Sequence, residues 1–264
     1  SQILAAVPSA KQKRWISDDP GEILIERYGA EPRQLLFHAI RIGNRRAFDA
    51  ALAAGAMVDQ PFDDGTPPLV AAAHYGNSSV EWLLDAGGEM DVSNQDGDHP
   101  LHVACRHAHE ATVRTLLARG ADPNSRDNRG STPLMQAASQ STAATLIPVL
   151  LRHGADPNAK NHDGENALMA AAFAGREEAV ELLVNVGAEV ESTDNRGWTP
   201  LAHAAARNLV AIMQCLMKHG ANMNRTFAND ESPSSVAASR HQPEALDLLL
   251  RLGTDPHHRV RGVS

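Results

Sequence analysis

The sequence predicts an all-α fold, a solenoid of stacked helix–turn–helix units that are joined by short β-hairpin loops. A Leu-x-x-Ala pattern recurs along the chain, and it opens at Leu36, Leu69, Leu101, Leu134, Leu168 and Leu201, with Ser234 in the seventh position. The intervals between these positions are 33, 32, 33, 34, 33 and 33 residues. A glycine follows a Leu-rich stretch in every unit, at Gly55, Gly87, Gly120, Gly154, Gly187, Gly220 and Gly253. A fixed period of this length is typical of solenoids, in which one unit alone cannot bury its apolar face.

Each unit carries the signals for a hairpin and two helices, in that order. Glycine supplies the positive φ angle that a hairpin turn needs, at Gly65, Gly97, Gly130, Gly164 and Gly197. A hydroxyl N-cap then precedes a proline at the first helical position, at Thr132-Pro133, Thr199-Pro200 and Ser232-Pro233. The first helix is rich in Ala, which lets neighbouring units approach closely. The second helix is rich in Leu and ends at a glycine that caps its carboxyl end.

Four stretches resemble the ankyrin repeat: Gly130–Leu134, Gly197–Leu201, Pro100–Ala104 and Leu150–Asn158. The resemblance covers residues 31 to 258. It implies stacked helix pairs, with the hairpins projecting to one side to form a concave groove. In this family the partner usually contacts the hairpin tips and the exposed side of the first helix.

The period divides the chain into three regions. Residues 1–30 form an N-terminal extension or linker, in which Asp19-Pro20-Gly21-Glu22 predicts the start of a short helix over Pro20–Tyr28. Residues 31–258 form the repeat domain, with repeats starting near 31, 64, 96, 129, 163, 196 and 229, and residues 259–264 form a tail. Pro148 falls inside a predicted second helix, so we expect a kink near Ala144–Pro148.

Composition and charge exclude several classes of protein. The chain has 24 Lys plus Arg and 32 Asp plus Glu, a net charge of −8, whereas binding to nucleic acid needs clustered cations. Apolar residues make up 42%, which argues against a disordered chain. No apolar run reaches the roughly 18 residues of a membrane-spanning helix. The two cysteines, Cys105 and Cys215, are too few for a disulfide framework and indicate a reducing, cytoplasmic location.

We expect no catalytic site, cofactor, metal or small-molecule substrate. The sequence has no phosphate-binding glycine loop, His-Glu-x-x-His pair or Gly-x-Ser-x-Gly motif. A zinc site would need convergent ligands, and helix geometry spreads the candidate histidines over different faces: His99, His102, His107, His109, His257 and His258. A structural role for His102, bonded to hairpin backbone, is favoured instead. The loops ending in Asn124 and Asn158 resemble sites that are hydroxylated on asparagine in some ankyrin proteins; unmodified loops are the alternative.

The resemblance implies a set of partner-binding positions on the hairpin tips and at the ends of the first helices. These candidates are Trp198, Tyr75, His74, Phe173, Asp63, Asp64, Asp96, Asp98, Arg106, His107, Arg129, Gln140, Arg196, Arg207 and Arg240. We expect Trp198, Tyr75 and Phe173 to face solvent, where large aromatic side chains act as binding hot spots. For Phe173, packing between neighbouring helices is an equal alternative.

Charge is distributed unevenly over these candidates. Residues 47–105 contain ten acids and no Lys or Arg, and the candidate acids map to the groove over repeats 2 and 3. The candidate arginines lie mainly farther along, over repeats 4 to 7. This pattern predicts a partner with a basic end over the acidic repeats and an acidic end over the basic ones; a purely solubilising role for half of the acids is the alternative.

The leading functional hypothesis is a non-enzymatic module that binds another protein through its groove and hairpin tips. The alternative is the substrate-recruiting part of a larger enzyme, such as a bacterial effector that seizes a protein in the host cytosol. The missing initiator Met and the basic stretch Lys11–Arg14 are consistent with a linker to a preceding domain. An enzyme in its own right and a nucleic-acid-binding protein are the least favoured hypotheses.

Overall fold

The structure is a computed structural model that describes residues 31–227 and 230–254. These ranges contain seven pairs of α-helices and no β-strand. The helices are α1 (Pro32–Ile42), α2 (Arg45–Ala53), α3 (Pro68–Tyr75), α4 (Ser79–Asp85), α5 (Pro100–Arg106), α6 (Glu110–Ala118), α7 (Pro133–Ala138), α8 (Ala143–Arg152), α9 (Ala167–Ala174), α10 (Glu177–Asn185), α11 (Pro200–Ala205), α12 (Val210–Lys218), α13 (Pro233–Ser239) and α14 (Pro243–Arg251). The helix predicted over Pro20–Tyr28 and the tail at 259–264 lie outside the described residues. No helix in the described part of the chain has the length and apolar character needed to cross a membrane.

The helices form two layers. The first helix of each pair, which carries an odd number, packs against its own second helix and against the first helices of the neighbouring pairs. The second helices from α4 to α14 pack against each other in the same order. Each pair therefore contacts only its neighbours, which is the arrangement of a solenoid. The predicted all-α solenoid is confirmed.

The small side chains of the first helices form the centre of the core. In α11, Ala202, Ala204 and Ala205 are all completely buried. The leucines that define the period are buried as well, for example Leu101 and Leu168. Because Ala leaves room for close approach, adjacent first helices pack directly on each other along the whole array.

The hairpins are tight turns, not paired strands, and in each of them a backbone bond joins the residues four positions apart. The Asp194 N–H donates to the Trp198 carbonyl at 3.0 Å, and the same bond recurs between Asp127 and Ser131 at 3.1 Å. Consecutive hairpins are also bonded to each other: the Asn195 N–H donates to the Asp163 carbonyl at 2.9 Å. The hairpin tips therefore form a continuous edge along one side of the solenoid.

Two of the three predicted hydroxyl caps are present and one is absent. Thr199 accepts from the N–H of Ala202 at 3.4 Å, and Ser232 and Ser235 form a reciprocal capping box. The hydroxyl of Thr132 makes no cap bond, so that prediction is wrong. The Met135 N–H, which a capping hydroxyl would accept, donates instead to the backbone carbonyl of Thr132 at 3.0 Å.

Two other sequence features concern the interior. His102 is fully buried, and its Nε2 lies 2.9 Å from the Ser131 carbonyl of the next hairpin, while its Nδ1 accepts from the His99 N–H at 3.3 Å. The structural role predicted for His102 is therefore confirmed. Pro148 lies inside α8, which continues to Arg152, and the kink expected at residues 144–148 stays a prediction.

Candidate functional site

A shallow pocket of about 260 Å³ lies on the side of the hairpins, where the last three helix pairs meet. It connects the end of α9, the hairpin before α11, α11 itself and the end of α13. Its lining residues are Phe173, Arg196, Trp198, His203, Ala206, Arg207 and Arg240. Five of these are among the residues predicted from the sequence to contact a partner. The name "groove pocket" is used below for this set of seven residues.

Trp198 forms the floor of the groove pocket. Only 9% of its surface is exposed, so the prediction that it faces solvent is wrong. Its backbone N–H donates to Asp194 Oδ1 at 2.8 Å, which fixes the hairpin, and its indole Nε1–H donates to Glu231 Oε2 in the next pair at 3.2 Å. The ring packs against Phe227 and Val236. Trp198 therefore turns inward because its indole N–H is bonded to the next pair and its ring fills the space between two pairs.

Phe173 forms one wall of the groove pocket and is 53% exposed. The prediction that it faces solvent is confirmed, and the alternative of packing between helices is wrong. Its ring centroid lies 6.1 Å from that of His203 and 4.7 Å from the guanidinium carbon of Arg207. An exposed aromatic ring that already supports a cation is a preformed binding surface.

Three arginines surround the groove pocket, but they differ in how their charge is neutralised. Arg196 donates through Nε and Nη2 to Asp194 Oδ2, at 3.1 and 2.9 Å, while its guanidinium lies 4.8 Å from the Trp198 ring. Arg207 lies over Phe173, and Arg240 lies over Trp198 with its guanidinium carbon 6.0 Å from the ring centroid. Within residues 31–227 and 230–254, neither Arg207 nor Arg240 forms an ion pair. The pocket therefore has two guanidinium groups available to an anion.

A buried polar group lies beneath the groove pocket, where Glu165, Asp194 and His203 converge. Burial lowers the pKa of His203 below its ordinary value, and the nearby Asp194 carboxylate, whose Oδ2 lies 3.3 Å from its Nε2, opposes that shift. The trio resembles a set of metal ligands, but both oxygens of Asp194 already accept N–H groups from Arg196 and Trp198. A guanidinium held on the carboxylate opposes a cation there, and the bonds that Asp194 accepts from its own turn give that carboxylate a structural role in the hairpin.

Sequence reasoning missed this buried group. Asp194 occupies the same hairpin position as Asp127, and both accept two backbone N–H groups of their own turn, which is a local signal. The position of His203 gives no such signal, because it lies one residue after the place that His102 occupies in its repeat. Only the folded arrangement shows that its ring reaches the Asp194 carboxylate.

The acidic end of the predicted groove has fewer free carboxylates than the sequence suggests. Asp98 is 2% exposed, and the prediction that it faces a partner as a free acid is wrong. The Arg106 Nη1 and Nη2 atoms each donate to its carboxylate at 2.6 Å, and this bond raises the pKa of Arg106. The two charges therefore cancel inside the array. Asp63 pairs with Arg33, so of the four candidate acids only Asp64 and Asp96 are exposed without an ion pair to another described residue.

The remaining candidates lie in two places. His74, Tyr75 and His107 form an aromatic cluster over the second and third pairs, with the His74 and His107 ring centroids 4.3 Å apart. Tyr75 is half-buried against Phe37, so its predicted exposure is only partial. Burial lowers the pKa of His107, and neighbouring His74 lowers it further. Between this cluster and the groove pocket, Arg129 is exposed and Gln140 is half-buried beside Ser139.

Comparisons with known proteins agree with this architecture. A family model described as "Ankyrin repeats (3 copies)" matches residues 35–127, 120–194 and 186–260. The crystal structure of the ankyrin repeat domain of Bcl-3, described as a unique member of the IkappaB protein family, is similar to this chain with a TM-score of 0.63. The two are 32% identical, and the match covers 73% of this chain and 89% of that one. A search of the curated proteins found no significant match. The chain belongs to the ankyrin-repeat family.

Proposed function

We propose that this protein is a non-catalytic interaction module that binds another protein through its hairpin side, with the groove pocket as the main contact. Ankyrin repeat domains are typically non-catalytic and bind other proteins. The observation that carries the proposal is the placement of an exposed aromatic ring, Phe173, beside two arginines without ion pairs. Folding alone gives no reason to expose that ring, whereas an aromatic anchor next to Arg is the typical composition of a binding hot spot.

The size of the groove pocket supports a protein partner. Its volume of about 260 Å³ is below the roughly 300–1,000 Å³ of sites that enclose small molecules. A pocket of this size accommodates one side chain of a larger partner. The continuous edge of hairpin tips then provides the surrounding contact area that a stable protein interface needs.

The charge pattern also supports this proposal, in a revised form. The exposed arginines Arg129, Arg207 and Arg240 are free of ion pairs among the described residues, and they extend over the fourth, sixth and seventh pairs. Two of the four candidate acids at the other end are already paired. We therefore expect the acidic end of the partner to contribute more to specificity than its basic end.

The experiment is affinity capture with matched variants, followed by measurement of binding with the purified partner. Phe173→Ser removes the exposed ring of the groove pocket, and Val186→Ser removes a 50% exposed side chain next to α10, away from the groove pocket. We expect the wild-type chain to capture a partner protein. Phe173→Ser should weaken the binding free energy by about 2 kcal/mol, and Val186→Ser should leave it unchanged. Equal loss with both variants, or with neither, contradicts the proposed binding face.

A further inference from the structure

The groove pocket combines an apolar interior with an unneutralised cationic rim. Phe173, Trp198 and Ala206 provide apolar surface, and Arg207 and Arg240 stand at its edge. Each of these arginines lies over an aromatic ring of the preceding pair: Arg207, two residues after α11, over Phe173 at the end of α9, and Arg240, directly after α13, over Trp198 before α11. Stacking on a ring fixes the guanidinium plane and leaves its N–H edges open for an anion.

The neighbouring acids do not satisfy these two guanidinium groups. The Asp194 carboxylate is occupied by Arg196 and by backbone N–H groups of its own hairpin. The Glu231 carboxylate accepts from the Trp198 indole and from no arginine in the described part of the chain. An incoming carboxylate would therefore meet two held cations, and a charge-assisted bond to Arg is about twice as strong as a neutral one.

The two cations are one repeat apart. Arg207 and Arg240 occupy the same position in consecutive pairs, six residues after Leu201 and Ser234. Packed helices are spaced about 8–10 Å apart. An extended chain rises about 3.3 Å per residue and places residues i, i+2 and i+4 on one face. Two Glu side chains four residues apart thus reach both guanidinium groups when they bend inward, and the residue between them faces the pocket.

We infer that the groove pocket recognises an extended acidic segment of the partner protein, in which an apolar side chain enters the pocket between two carboxylates. The apolar side chain contacts Phe173 and the floor formed by Trp198. The carboxylates bind Arg207 and Arg240. This inference rests on the proposed protein-binding function and specifies the chemistry of the partner at one site.

The test is an NMR titration of the full chain with three end-blocked peptides. The first contains Glu-Ser-Leu-Ser-Glu between Gly-Ser flanks, the second has Gln in place of both Glu residues, and the third has Ser in place of Leu. The Trp198 indole Nε1–H is the reporter, because it forms part of the pocket floor and bonds to Glu231. We expect saturable shifts with the first peptide and an affinity at least about tenfold lower for the other two.

Variants of the chain complete the test. The double variant Arg207→Gln/Arg240→Gln should lose the saturable shifts. Arg152→Gln, which removes an exposed arginine of α8 that has no side-chain partner in the described ranges, should retain them. Equal binding of the acidic and the Gln peptides, equal effects of the pocket and control variants, or no saturable shift with any peptide would each overturn the inference. If the acidic peptide does not bind but a partner protein is captured that depends on Phe173, only this inference is wrong. If no such partner is captured, the proposed binding face itself is wrong.

Discussion

Replacing Trp198 by alanine should destabilise the last two helix pairs rather than act on a binding surface alone. Trp198 is 9% exposed, and its ring packs between the sixth and seventh pairs against Phe227 and Val236. Truncation of a buried Phe or Trp to Ala costs about 3–5 kcal/mol. The lost bond from Nε1 to Glu231 adds about 1 kcal/mol at most, since the carboxylate is half-exposed and water replaces the indole. We expect a loss of about 3–5 kcal/mol.

The effect should be local, because a solenoid is stabilised by contacts between neighbouring units. The Trp198→Ala change weakens the contact between α11 and α13, so the seventh pair should open before the rest of the array. Hydrogen exchange measured by mass spectrometry would then show lost protection in α13 and α14, with α5 to α8 unchanged. Urea denaturation would show a separate early transition.

A less severe variant tests how much of the effect comes from ring packing. Trp198→Phe keeps a buried aromatic ring but removes the Nε1–H and the five-membered ring that carries it, so it should lose less stability than Trp198→Ala. If Trp198→Ala leaves both the melting curve and the exchange of α13 unchanged, the ring does not couple the last two pairs and the interpretation of its burial is wrong. Any loss of partner binding by Trp198→Ala must be compared with Phe173→Ser, which leaves the core intact.

Three other changes test the scaffold. Ala108 has a φ of 59°, and the equivalent residues of two other pairs, Gly76 and Gly175, have the same left-handed conformation. Because this conformation strains a residue with a Cβ atom, Ala108→Gly should raise the free energy of unfolding by about 1 kcal/mol in urea titrations. No gain in stability would contradict strain at this turn. Arg106→Ala leaves the Asp98 carboxylate buried and unpaired, so it should cost about 3 kcal/mol, and a double variant with Asp98→Ala should recover part of that loss in a thermodynamic cycle. Burial lowers the pKa of His102 and His203 below the ordinary 6.5. The unfolded chain therefore binds protons more readily than the folded chain does. The contribution of these histidines to stability should be full above pH 6.5 and should be lost as the pH falls below that value. Unfolding measured between pH 7.5 and 5 should show a smaller decrease for His203→Gln, and an unchanged pH dependence would contradict a neutral buried ring.

The repeating positions are the part of the fold that the sequence predicts well. The leucines of the Leu-x-x-Ala pattern are buried in the first six pairs, and Ser234 is buried in the seventh, since each occupies the same place between two layers. A repeat of this kind makes the assignment reliable, because a wrong helix assignment in one unit would disagree with the assignments in the other units. The absent cap at Thr132 shows the limit: the sequence gives the residue type, whereas the geometry of the first turn decides which oxygen accepts the N–H.

The direction of the hairpin side chains is the part that could not be predicted. The residue after the hairpin glycine is Asp98 in the third pair and Trp198 in the sixth, and both are buried although the family pattern predicts exposure. For Asp98 the cause is the guanidinium of Arg106, and for Trp198 it is the next pair, at a distance of 33 residues along the chain. Both causes are contacts that form only when the chain folds. Charge counts along the sequence therefore overestimate the acidic end of the groove.

The residue six positions after the start of each Leu-x-x-Ala pattern is the reason why we place the proposed recognition site in the last three pairs. That position holds Tyr75, His107, Gln140, Ala174, Arg207 and Arg240 from the second pair to the seventh. Because the scaffold buries only the first and fourth positions of the pattern in every unit, the residue six positions on is among those that are free to differ. Arginine occupies it in two consecutive pairs, and in both cases an aromatic ring of the preceding pair lies beneath the guanidinium. One Arg alone would provide a weak surface charge that salt screens. Two fixed guanidinium groups one repeat apart instead require two carboxylates at a matching distance. This spacing distinguishes an acidic segment of defined sequence from any other anion.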